Sequence, residues 1–180
     1  MERDNLFFID AETDGLYGQI LSVAVIVTDE KCREIERKYW GLDVKPEQLE
    51  SQWVRQNVLP IMANYEKCQD ELELIENVWK LWQKYENSAY AVGDVIFPVE
   101  TGLFSKCVGQ NTKEREFKAP VPFVDMSSVL LAKGLDPMAE REALLSDLPI
   151  GIKHNALYDV EIMIKLWKKY MGGKSDAANS

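Results

Sequence analysis

The chain has 180 residues, of which 46% are hydrophobic and 28% charged, with a formal net charge of −9. That length can bury a sizeable core in one domain, and the composition is that of an ordinary globular protein, not a disordered or fibrous one. The negative balance excludes a long basic track for polyanions, so any nucleic-acid partner would have to be held locally, over a short stretch and with the help of metal cations.

In chain order, Leu6-Phe7-Phe8-Ile9 reads as a strand buried on both faces, running into Asp10-Ala11-Glu12 and a turn at Thr13-Asp14-Gly15-Leu16. Gln19 to Asp29 is a second strand rich in Val and Ile, and Arg33 to Asp43 a third with imperfect alternation. Short connections make these three an antiparallel meander. Gln48 to Val58 is expected to be helical, with Trp53, Val54 and Val58 on one face and Pro60 beyond. Gln69 to Tyr85 is the clearest helix, its Leu72, Ile75, Val78, Trp79, Trp82 and Tyr85 recurring at helical spacing and destined for the core.

Ser88 to Asp94 is a short strand ending in an acid, and Pro98 opens a helix that carries Glu100 in its first turn. Val108 to Pro122 lacks apolar periodicity and reads as a loop bearing Lys113, Arg115 and Lys118. Phe123-Val124-Asp125 is a fifth strand, followed by a helix through Leu131. Asp136-Pro137 predicts another short helix containing Glu140, and His154 to Tyr170 a last amphipathic one. Gly172-Gly173 stops it, leaving one domain over residues 1–171 and a flexible tail over 172–180.

The charged start, Met1-Glu2-Arg3-Asp4-Asn5, lacks the pattern of a signal peptide, and no apolar run reaches the length of a membrane span. Cys32, Cys68 and Cys107 are odd in number and widely spaced, which argues against zinc or a disulfide framework and for a reducing cytoplasm.

Asp10 and Glu12 are two positions apart on a strand, so both carboxylates point to the same face. Held together they repel, and either protonation or a cation relieves them; oxygen donors on a rigid strand suit Mg²⁺ or Mn²⁺. His154, the only histidine, precedes Asp159 by five positions, about 500° of helical turn. The two can face one site only if His154 stands before the first turn, with Asn155 as the cap. A histidine beside a metal site is the group a water-activating general base requires.

The order Asp10-x-Glu12-Thr13-x-Gly15-Leu16, an acid near a strand-to-helix junction, then His154-x4-Asp159 resembles the DEDDh (DnaQ-like) 3′→5′ exonucleases. The likeness spans about residues 5–170, and Trp53-Val54-x3-Val58-Leu59-Pro60 is similar to small stand-alone bacterial members, some of them encoded beside anti-phage defence systems. The resemblance implies a ribonuclease-H-like α/β fold: a mixed five-stranded sheet with an N-terminal antiparallel meander and helices on both faces. It further implies two divalent ions, Mg²⁺ or Mn²⁺, held by Asp10, Glu12, a middle acid and Asp159, with His154 as base and nucleoside 5′-monophosphates as products. Thr13, Gly15 and Leu16 would bind the terminal nucleotide, unless Leu16 is simply a core residue.

The middle motif departs from the family pattern. Asp94 is the right residue type but stands where an Asn is usual, while Glu100 stands in the right helical position but is the longer acid; Asp94 is favoured, with Glu100 as the alternative. Partners on this reading are RNA or DNA 3′ ends, single-stranded or short; a homodimer is left open. The rival readings are a catalytically silent nucleic-acid-binding module of the same fold and an acidic protein-interaction domain.

Overall fold

A computed structural model describes residues 3–172. Its centre is a mixed sheet of order β4-β3-β2-β1-β5-β6. Strands β1 (Asn5–Thr13), β2 (Ile20–Asp29) and β3 (Glu34–Leu42) form the antiparallel meander. β5 (Ala89–Gly93) lies parallel to β1, and β6 (Phe123–Asp125) parallel to β5. A sixth strand, β4 (Glu66–Cys68), adds itself parallel to β3 at the far edge. Three residues, two of them charged, carry no alternation for a sequence to reveal.

Alternation along β1 sends Phe7, Ile9 and Ala11 to one face and Leu6 and Phe8 to the other. The first face packs on α2 (Glu71–Tyr85) and α3 (Val99–Gly109), through Trp79, Trp82, Leu103 and Phe104. The second packs on α5 (Met126–Ala132) and α6 (Ala156–Met171), through Met126, Leu130, Val160 and Met163. This is the expected α/β architecture with helices on both sides of the sheet.

Several local expectations are corrected. The helix expected over 48–58 is only six residues, α1 (Gln52–Asn57), flanked by 3-10 turns at Pro46–Gln48 and Leu59–Ile61. Ser51 caps it, accepting from the Val54 amide at 3.3 Å. Val54 and Val58 are buried, but Trp53 is 51% exposed. On α2, Leu72 is exposed, and Leu74 and Leu81 join the core in its place. The 108–122 loop contains a single helical turn, α4 (Thr112–Arg115). No helix forms at Asp136: its carboxylate accepts from the Met138 amide at 2.8 Å, a turn that competes with helix formation, and the nearest helical turn is 3-10, Glu142–Leu144. The tail beyond residue 172 lies outside the described residues.

The described cysteines are buried and free, and among the described residues no helix is long and apolar enough to cross a membrane. Trp82 illustrates how the first core closes. It meets Phe7 edge-on at 5.3 Å and Phe104 at 5.9 Å, and its indole N–H donates to the Lys118 carbonyl at 2.6 Å. Trp82→Ala leaves a large cavity and an orphaned carbonyl, and should cost about 3–5 kcal/mol, read as a lower urea midpoint at unchanged slope.

Candidate active site

β5 pairs with β1 only from Asn5 to Phe8. Asp10, Ala11 and Glu12 therefore extend past the end of β5, at the carboxyl ends of two parallel strands, where α/β sheets open a crevice. By alternation Asp10 and Glu12 share the α6 face with Leu6 and Phe8. Glu100, on the first turn of α3, fills the gap that β5 leaves. It is 3% exposed, and its Oε1 accepts from the Ala11 amide at 3.3 Å, between the two acids of β1.

The other half of the site is the start of α6. His154 stands before the first turn with a φ of 69°, a left-handed conformation uncommon in non-glycine residues. Its amide donates to Asp159 Oδ2 at 2.9 Å, which ties histidine and acid together. Asn155 is the cap; its Oδ1 accepts from the Leu157 and Tyr158 amides, while its Nδ2 donates to the Ile61 carbonyl at 3.0 Å and the Tyr39 hydroxyl at 3.3 Å. The Trp53 ring meets the imidazole edge-on, with centroids 4.9 Å apart. Glu12, His154 and Asp159 each bring a potential ligand atom within 4.8 Å of the others.

The electrostatics are lopsided. Burial, then Asp159, Glu12, Glu100 and Asp94, raise the Asp10 carboxyl well above the usual range. Burial and the nearby Asp159 and Glu100 push Glu12 up to about 8. Glu100 is also pushed to about 8, chiefly by burial, and Asp159 to about 7 by burial that outweighs the His154 amide and Lys153. Burial, then Lys153, lower His154, so the imidazole is neutral near pH 7 and has a lone pair to accept a proton. The one guanidinium lining this site among the described residues, Arg141, is already engaged, its Nε and Nη2 on Asp94 at 2.6 and 2.9 Å. A cluster of hard oxygen donors left with so little compensation is a charge pattern that divalent cations fit.

All the expected acids and the histidine thus gather at one end of the sheet. Asp10, Asp94, Arg141, His154 and Asp159 line one cavity of about 280 Å³. A larger cleft of about 820 Å³ runs between the β2–β3 hairpin and the far half of α6, but several of its charges are spent on each other, Arg37 with Glu34 and Glu161 among them. Chemistry, not size, locates the site.

The Thr13–Leu16 turn borders the cluster. Gly15 takes a φ of 76°, and the Asp14 carboxylate accepts from the Glu50 and Ser51 amides at 2.6 and 2.9 Å, fastening the turn to the start of α1. Leu16 is 64% exposed, which rules out the core alternative. Arg141, Tyr39 and the Trp53–His154 contact carry no motif; only their placement by the fold brings them here.

The fold is ribonuclease-H-like. Solved structures similar to it include E. coli exonuclease I in complex with a dA16 oligonucleotide (TM-score 0.66, 16% identity, 94% of this chain and 41% of that one). The zinc-bound form of the E. coli exonuclease I–ssDNA complex matches at TM-score 0.67 and 16% identity, over 96% and 42% of the two chains. Exonuclease I of Methylocaldum szegediense matches at 0.60 and 18%, over 94% and 41%. The chain spans about two fifths of the length of these proteins. No protein-family profile and no characterised protein sequence matches it.

Glu12 and Glu100 are raised from 4.5 to about 8, so between those values the folded state binds more protons than the unfolded one and stability falls as pH rises. In EDTA, melting temperature should therefore drop from about pH 4.5 to about pH 8, and Asp10→Asn should flatten the slope and raise the melting temperature at pH 8 by about 3 °C or more, as read by calorimetry.

Proposed function

We propose that the protein is a metal-dependent 3′→5′ exonuclease that releases nucleoside 5′-monophosphates from RNA or DNA 3′ ends. The observation that carries this reading is the convergence of Glu12, His154 and Asp159 within 4.8 Å beside half-buried Asp10 and buried Glu100, in an exonuclease-like fold. Asp10, Glu12, Glu100 and Asp159 would hold the ions. Glu100 is preferred to Asp94 as the middle acid because it reaches the backbone between Asp10 and Glu12, whereas both Asp94 oxygens are taken by Arg141. When bound, two divalent cations neutralise the scissile phosphate and the leaving 3′ oxygen and make water acidic enough to attack. Four carboxylates against about four positive charges leave the site able to admit an anionic phosphodiester.

The protein's own groups do the rest. Neutral His154 accepts the proton of the attacking water on a ring nitrogen, and the Asp159 carboxylate fixes the histidine backbone. Exposed Leu16 and Trp53 flank the opening, and the Trp53 ring offers a face to the terminal base. The cations near the acids, Arg141 and Lys153, are paired with Asp94 and Glu140, so grip on a long phosphate track is weak and substrates are single-stranded or short.

The decisive experiment is digestion of 5′-labelled RNA and DNA oligonucleotides. A ladder shortening from the 3′ end with Mg²⁺ or Mn²⁺, and none with EDTA, is expected; no cleavage of any substrate would return the chain to the silent-binder reading. His154→Ala should lower kcat about 10²–10⁴-fold while Mn²⁺ binding survives.

A further inference from the structure

Arg141 and its neighbour Glu142 reach to opposite sides of the site. Arg141 forks onto Asp94, just past the end of β5, with side chains only 16% and 21% exposed. Two of its three remaining N–H groups are engaged as well: Nη1 donates to the Ala139 carbonyl at 2.5 Å and Nη2 to the Pro137 carbonyl at 2.7 Å. Four of the guanidinium's five N–H donors are thus committed to Asp94 and to Arg141's own loop. Glu142, one residue on, accepts from the hydroxyl of buried Tyr158 at 2.6 Å, and Tyr158 immediately precedes Asp159 on the first turn of α6. Leu144 and Leu145 pack the same segment onto the second core.

We infer that Asp94–Arg141 and Glu142–Tyr158 form a brace that sets the α6 half of the site, Asp159 and His154, against the sheet half, Asp10 and Glu12. Asp94 is then the anchor of the brace, and Arg141 and Tyr158 are positioning residues. A fork onto a carboxylate fixes angle as well as distance, which a lysine cannot reproduce. The brace is independent of whether the site turns over; only the Mn²⁺ and activity arms below rest on the exonuclease reading.

The test compares the wild-type protein with Asp94→Asn, Arg141→Gln, their double variant, Arg141→Lys and Tyr158→Phe. Hydrogen exchange of the 154–160 amides should quicken about 10-fold in each single variant. It should quicken no further in the double variant, since both changes cut one link. Arg141→Lys should fail to rescue it. Tyr158→Phe, which removes one hydroxyl from the other end, keeps the test open should the ion-pair variants fold poorly. In Mn²⁺ titrations Asp94→Asn should keep the wild-type number of bound ions at reduced affinity, matching Arg141→Gln, whereas Glu100→Gln should lose one. Where wild type cleaves oligonucleotides, both variants should lower kcat with KM little changed. Unaltered exchange at 154–160, or loss of a bound ion in Asp94→Asn but not in Arg141→Gln, overturns the brace. Absence of cleavage by the wild type would refute the exonuclease reading alone, because the exchange measurement does not depend on it.

Discussion

The crowding of partly buried carboxylates at the end of β1 is the constraint on which the rest of the site depends. Asp10, Glu12, Glu100 and Asp159 come from three separated parts of the chain; each is raised chiefly by burial, Asp10 and Glu12 also by the other acids of the cluster, and Glu100 and Asp159 also by Asp94. Folding tolerates this only while protons or cations compensate the charge. A chain that needed nothing there would have paired the acids internally, as it has paired Asp94 with Arg141 and Glu76 with Arg115.

The two halves of the site are held differently. The sheet half is rigid because β1 is central, hydrogen-bonded to β2 along its length and to β5 along its first residues. The α6 half hangs on a single left-handed residue and a cap. Asn155 commits both side-chain donors and its acceptor to keep the helix start in place, and the His154 amide closes the loop onto Asp159. The histidine at such a helix start is held in orientation by polar contacts, with Trp53 against its ring.

Much of this was legible in the residues. The apolar run before Asp10-x-Glu12 announced a buried strand, and the five-position spacing of His154 and Asp159 demanded a histidine outside the helix, which is where it lies. The meander and the core-facing helices followed from periodicity. What stayed hidden depends on distant parts meeting. β4 is too short and polar to show a pattern, and Trp53 looks apolar in sequence yet faces the site. The middle acid was ambiguous because the sequence does not say that Arg141, 47 positions away, occupies Asp94, or that β5 stops early enough for Glu100 to reach the Ala11 amide.

A metal site here requires that cations replace protons at this cluster. Calorimetric titration with Mn²⁺ at pH 7, repeated in buffers of different ionisation enthalpy, counts the protons expelled on binding. Carboxyls raised to about 7 and about 8 predict release of about one proton or more per protein molecule. Binding without proton release, or no binding at all, would contradict it.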